Sequence, residues 1–276
     1  MVAVCNVLTV AGVDPSGGAG VLADVKAISA QQAYACAVIT ALTAQNTQAV
    51  RAVEPVSAAF VRAQMDALFE DVALAAVKIG MLGESAVVVA VAEGLAGRAP
   101  AHVVLDPVMV AKSGDALLRA DAVGAMIEAL LPLATVVTPN LPEAGVLLGR
   151  SAPQTLAQMR TAAQALRERM THGGSRWVLL KGGHLPESEC AGQVMDLLHD
   201  GDRMIELVRP RVQTKNTHGT GCTLSAALAA CLPQCADAPT AAGRARDYLS
   251  AALARADELA VGRGHGPVFH FPAWPA

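Results

Sequence analysis

Apolar runs of strand length alternate along this chain with longer stretches whose apolar residues recur every three or four positions. "VLTVAG" opens the series, and "ACAVITALTAQ", "AAVKIGML", "HVVLDPV", "ATVVTPN" and "RWVLLKGG" continue it, each ending in a polar or glycine-rich turn. Between them, "GAGVLADVKAISAQQ", "SAAFVRAQMDALFE" and "QTLAQMRTAAQALRERM" carry helical spacing; in the first it is set by Val21, Leu22, Val25 and Ile28. Strands alternating with helices predict a mostly parallel central sheet covered on both faces, a three-layer α-β-α architecture. One segment departs from this pattern. In "QVMDLLHDGDRMIELV" two alternating runs meet at Asp200-Gly201, which predicts a hairpin and a small antiparallel extension of the sheet. Two closing helices are expected, from about Thr220 and about Ala238. No linker or repeat interrupts the pattern, so residues 1–276 read as a single domain.

Composition narrows function more than fold. Apolar residues make up 53% of the 276 and charged residues 16%, so a large core is expected rather than disorder. A net charge of −3 gives no electrostatic case for nucleic acid or an anionic membrane, and 3% aromatic residues leave few platforms for base stacking. A small-molecule partner is the better expectation. The most apolar stretch, "AVVVAVAEGLAG", is too short for a membrane span and is interrupted by Glu93. The amino terminus lacks a positive signal region, and the six cysteines (5, 36, 190, 222, 231, 235) show no CxxC spacing. Both observations suit reduced thiols in a cytoplasmic protein.

Several turns carry candidate chemistry, each beside a plainer reading. In "AGVDPSGGAGVLAD", Gly18 to Ala23 match G-x-G-x-x-A, but the acidic residue expected about 20 positions on for a dinucleotide ribose is missing. No Gly-Lys dipeptide occurs, which also removes a P-loop. The glycines then mark either a tight connection or a loop whose backbone approaches a ligand. Gln45, just past a strand in "TALTAQNTQ", has an amide that can read a ring with an amino group beside a nitrogen; otherwise it is a surface amide. Met81 packs a flat ring or the core. Asp106, Asn140 and Glu143 follow strands and could share a magnesium ion (Mg2+) through water; alternatively Glu143 caps its own helix. Lys181, in "LLKGGHL", suits a nucleotide phosphate or a turn. Finally, "NTHGTGCTLSAALAA" sets Gly219, Gly221 and Cys222 at a helix start, where backbone N–H groups and the helix dipole favour an anion. Such donors stabilise a phosphoryl group in transfer. The same field is expected to lower the pKa of Cys222 and prepare it as a base; the plain reading is a small buried cysteine.

Taken in order, "AGVDPSGGAGVLADVKA", "ITALTAQNTQ", "KIGML", "DPVMVAKSGD", "TPNLPEA", "LLKGGH", "TKNTHGTGCTLSAALAA" and "GRGHGPVFHF" resemble the hydroxymethylpyrimidine/phosphomethylpyrimidine kinase branch of the ribokinase-like superfamily. The resemblance covers nearly the whole chain. It implies transfer of phosphate from ATP to a 2-methyl-4-aminopyrimidine alcohol and then to its monophosphate, in thiamine synthesis. It implies Gln45 on the pyrimidine, with Gly12, Asp24 and Met81 lining that pocket. It also implies Asp106, Asn140, Thr217 and Lys181 on the nucleotide side, Glu143 with Asp106 near Mg2+, and Gly219 and Gly221 as an anion hole beside Cys222 as base. A homodimer is usual in the family. Most sugar kinases of the superfamily have Asp at the position of Cys222, and Lys112 stands where a small polar residue is usual. Two other readings keep the fold: a pyridoxal or pyridoxine kinase, and a pyrimidine-binding sensor without catalysis.

Overall fold

The computed structural model describes residues 4–98, 100–111, 114, 115, 117–171 and 175–271; Lys112 lies outside them. Among the described residues nine strands form one sheet: β1 (Asn6–Val13), β2 (Tyr34–Gln45), β3 (Val50–Pro55), β4 (Leu74–Ile79), β5 (His102–Leu105), β6 (Val136–Val137), β7 (Trp177–Leu180), β8 (Gln193–His199) and β9 (Met204–Pro210). Their order is β3-β2-β1-β4-β5-β6-β7-β8-β9. The six from β2 to β7 pair in parallel, while β8 and β9 extend the sheet antiparallel. The hairpin at Asp200-Gly201 is therefore as predicted. A second antiparallel strand, β3 on β2, was not predicted. Its residues are mostly exposed on both faces, so no alternation betrays it.

Helices α1 (Gly20–Ala30), α2 (Ala58–Asp71), α3 (Ser85–Ala96), α4 (Ala120–Ala125), α5 (Leu141–Leu148), α6 (Leu156–Arg169), α7 (Glu187–Cys190), α8 (Thr220–Cys231) and α9 (Ala238–Ala254) cover the sheet. Period-two alternation sorts the strand side chains between two cores. Leu8, Val77, Ile79, Val103 and Leu105 pack with α2, α3, α5 and α6. Val7, Ala76, Val104 and Leu179 pack with α1, α8 and α9. The sheet is thus buried on both sides, which is why its strands read as unbroken apolar runs. Helix α8 is buried from Thr223 to Cys231 and packs against both α1 and α9, so it is apolar all round.

The closing segment crosses back over the molecule. Gly266 accepts from the His218 N–H at 3.0 Å and donates to Asn216 Oδ1 at 3.1 Å, while the His265 N–H reaches the Thr47 carbonyl at 3.0 Å. His270 ends this strap, buried, its Nδ1 2.9 Å from the Tyr248 hydroxyl of α9.

Candidate active site

The chain leaves β1 through α1 to β2 on one side, while β4 lies on the other. Open α/β sheets have a crevice at such a reversal, and a cavity of about 480 Å³ lies there. Asp14 follows β1, Met81 follows β4, Asp106 follows β5, Asn140 and Glu143 follow β6, and Lys181 follows β7; all line the cavity. Gly12 and Gln45 enter from β1 and β2. Thr217, Gly219, Gly221 and Cys222 enter from the approach to α8 and its first turn.

Asp24 is the exception among the expected residues. It is fully buried on α1 and does not line the cavity. Its Oδ2 accepts from Lys78 Nζ at 2.8 Å and from the Thr9 hydroxyl at 2.6 Å. Thr9 and Lys78 are register partners on β1 and β4 and point to the same face. Lys78, fully buried, is the member of this trio that lines the cavity floor. Burial alone would lower its pKa, but Asp24 above all, with Cys222 and Asp106, raises it, so the ammonium persists.

The start of α8 is shaped by two loops in contact. Gly219 is its N-cap, with φ of 74°, in the left-handed region that favours glycine. A Cβ on Gly219 would overlap the Gly18 carbonyl oxygen, and one on Gly18 would overlap the His218 ring. The glycines of the first loop therefore admit the second loop. Cys222 is half-buried at this turn. The expected lowering of its pKa does not occur: burial pushes the thiol up to about 11, outweighing the pull of Lys78 and of the Gly20 N–H. The dipole field is present, but loss of water costs a thiolate more here.

At the far end of the cavity Lys181 Nζ lies 2.9 Å from Asp106 Oδ1 and 3.9 Å from Glu143 Oε2. A Cβ on Gly221 would stand 3.2 Å from the same ammonium, so Lys181 sits over the first turn of α8. Asp106 is buried yet stays below the usual carboxylate range: burial raises it, but Lys181 and Lys78 more than compensate. Glu143 and Asn140 form a reciprocal capping box at the start of α5, with bonds of 2.7 and 2.8 Å. The cap and the cavity wall are thus one residue, and burial lifts the Glu143 carboxyl to about 7 despite Lys181.

The near end holds a hydrogen-bonded group that the sequence reading did not single out. His218 Nε2 lies 2.7 Å from Asp14 Oδ2, and Asp14 also accepts from the Ser16 and Ala19 N–H groups at 2.9 and 3.0 Å. The Gln45 amide lies 3.5 Å from His218 Nε2 and 3.2 Å from the Thr43 hydroxyl. Ser225, one turn into α8, reaches Asp106 Oδ2 at 3.1 Å. Lys78 was detectable as a lone cation inside an apolar strand run. His218 and Asp14 stood inside quoted motifs, hidden by the glycines around them.

Comparison with known proteins gives the same picture over nearly the whole chain. A family model described as phosphomethylpyrimidine kinase matches residues 14–269. A hydroxymethylpyrimidine/phosphomethylpyrimidine kinase of Rhizobium meliloti is 51% identical over 267 residues, covering 97% of each chain. Among solved structures, a phosphomethylpyrimidine kinase from Clostridium difficile is 36% identical with a TM-score of 0.77, covering 90% of this chain and 99% of its own. An ADP complex of Bacillus subtilis pyridoxal kinase is 31% identical with a TM-score of 0.86, covering 97% and 98%. The fold is therefore shared with vitamin B6 kinases, whereas sequence identity is higher with these two pyrimidine enzymes than with the pyridoxal kinase. The chain belongs to the phosphomethylpyrimidine kinase family.

Proposed function

We propose that this protein transfers the terminal phosphoryl group of ATP to 4-amino-5-hydroxymethyl-2-methylpyrimidine, and then phosphorylates the monophosphate, in thiamine biosynthesis. One observation carries the reading: the open turn of α8 lies in a single cavity between an amide end (Gln45) and a cationic end (Lys181). Gln45 and Met81 hold the ring, with Gly12 leaving room beside them. Lys181, Asn140 and Thr217 meet the nucleotide, with Asp106 holding Lys181 in place. The Gly219–Cys222 amides receive the phosphoryl group in flight. The 51% identity to the Rhizobium meliloti kinase favours this substrate over pyridoxal, whose kinase is 31% identical. The open anion turn favours a catalyst over a sensor.

Magnesium fits the acidic end. Asp106 and Glu143 share one ammonium, so the trio lacks a positive charge when both are ionised; burial is the main cause of the raised Glu143, and the Asp106 charge adds to it. Among the described residues no three His, Cys, Asp or Glu side chains form a metal cage, as suits an ion held by one or two carboxylates, water and phosphates. Bound there, the ion would neutralise charge on the phosphates.

A neutral thiol at position 222 suits two acceptors. The alcohol loses its proton late in a loose transition state, so positioning matters more than basicity. The monophosphate is largely dianionic, and a fixed carboxylate about 4 Å away would repel each unit charge by about 4 kcal/mol at an effective dielectric near 20. Incubation with ATP and the pyrimidine alcohol should give both mono- and diphosphate by mass; the absence of either refutes the two-step reading.

The protein acts as one domain in the cytoplasm. Among the described residues no helix is long and apolar enough to cross a membrane. It forms a homodimer: Leu42, Val53 and Phe60 are exposed near the β2–β3 edge, which among the described residues carries no further strand. Sedimentation at micromolar concentration tests this, with a monomer as the refuting result.

A further inference from the structure

The β7–β8 ladder ends at the Leu180–Leu197 pair, and beyond it the chain turns through Lys181-Gly182-Gly183. This loop presses against β8: a Cβ on Gly182 would overlap the Met195 carbonyl oxygen. Its backbone is pinned from two sides. The Lys181 N–H donates to the Pro139 carbonyl at 2.8 Å, on the β6 side. The Gly182 N–H donates to Asp196 Oδ1 at 2.9 Å, so a side chain of β8 stands in for the next rung. Asp196 shares its face of β8 with Leu198, which packs toward α8 and α9. There its Oδ2 lies 2.8 Å from Arg246 Nε of α9, and Arg246 Nη1 donates to the Ser250 hydroxyl at 3.3 Å. Asp196 and Arg246 are buried, at 2% and 5% exposure. A buried ion pair is weak support for a fold, because apolar side chains of similar volume serve as well. Such side chains would offer no acceptor to the Gly182 amide, which is itself buried and would be left unpaired.

We propose that Asp196, held by Arg246, is a positioning residue for the nucleotide: it fixes the Gly182 amide and so sets Lys181 over the first turn of α8. It rests on the reading of Lys181 as the group that meets the phosphates of ATP. The Gly182 nitrogen lies in the same peptide plane as the Lys181 carbonyl. The Pro139 bond fixes the plane before Lys181 and the Asp196 bond fixes the plane after it, which sets the direction in which the lysine leaves the strand end. Released from Asp196, the second plane would turn, with no Cβ on Gly182 to resist it. The ammonium would then leave its place between Asp106 and Glu143 and fall out of line with the α8 amides. Neither Asp196 nor Arg246 lines the cavity, so both act through Lys181.

Two double variants separate positioning from stability. Asp196→Asn with Arg246→Met keeps an acceptor for Gly182 but no ion pair, whereas Asp196→Leu with Arg246→Met removes both. The first should hold the KM for ATP within about threefold of wild type, and the second should raise it about tenfold or more. The KM for the pyrimidine alcohol, bound at the other end of the cavity, should stay within about twofold in both. Thermal melting should run the opposite way, because the leucine variant fills the site with apolar groups while asparagine leaves a buried amine unpaired. A merely structural pair would make the ATP KM follow melting. Hydrogen exchange at the Gly182 amide in ligand-free protein should be fast only where the acceptor is gone. Should the leucine variant not fold, Asp196→Ala with Arg246→Met also lacks the acceptor and carries the same comparison. Equal KM for ATP in the two variants, or slow exchange kept without the acceptor, overturns the proposal. Lys181→Met should itself raise the KM for ATP about tenfold or more. If exchange behaves as expected and Lys181→Met leaves that KM unchanged, the nucleotide reading of Lys181 falls, and the proposal with it.

Discussion

Lys78 has no contact with bulk water, although its ammonium is among the most strongly hydrated groups a protein carries. It persists because Asp24, itself held by the Thr9 hydroxyl, meets it between the sheet and α1. Removing only the cation leaves a buried, uncompensated carboxylate. Lys78→Met should therefore destabilise the fold by about 3–5 kcal/mol in urea unfolding, and Lys78→Met with Asp24→Leu should recover most of that loss. A loss below about 1 kcal/mol in the single variant contradicts the pairing. Cys222 can be tested by its chemistry. With its pKa near 11, the thiolate fraction at pH 7 is small and rises about tenfold per pH unit. Alkylation of Cys222 should accelerate up to about pH 11; a plateau near pH 9 would mean that burial does not govern it. Cys222→Asp should impair the second phosphorylation more than the first, read from the two products by mass. Cys222→Ala should slow the first step about 100-fold or less while leaving ATP binding intact. Most of these residues were legible as polar groups at strand ends. The direction of the Cys222 shift was not, because the sequence shows the helix start but not how tightly the cavity walls exclude water around it.

Elements were read most securely where burial was symmetrical. The parallel strands and α8 stand out because both faces are covered, leaving unbroken apolar runs. Strand β3 was missed because neither face is covered, and it is held chiefly by the ladder to β2. Helix α5 shows a different limit. "TPNLPEA" declares both a cap and a candidate metal acid, and the fold uses Glu143 where both are satisfied. Helix α8 makes the most exacting demand on its first turn. Gly219→Ala would need a left-handed alanine and would drive its methyl into Gly18. Both loops must shift, taking the amides out of line. We expect kcat to fall about 100-fold or more, with thermal melting showing that the fold survives. Activity within threefold of wild type would show that the turn does not bear on catalysis.

Across the whole molecule, the strap from Gly262 to His270 joins parts far apart in sequence. It bonds to Thr47 beside the β2–β3 turn, to Asn216 and His218 before α8, and to α9 through His270. Burial, and to a lesser extent Lys26, pulls the His270 pKa down to about 4. The unfolded chain takes up this proton near pH 6.5, the folded one only near 4. Stability is therefore full above pH 6.5 and falls as the pH drops toward 4, by about 3 kcal/mol in all. Denaturant midpoints measured across that range should show the slope, and His270→Phe should flatten it. The meeting of Gly18 with Gly219 also orders events in time. A chain emerging from the ribosome has its β1 half of the pocket long before the α8 half exists, and α8 is too greasy to wait alone in water. During synthesis the growing polypeptide is catalytically silent and sticky, and chaperones should engage it until the last helix has docked.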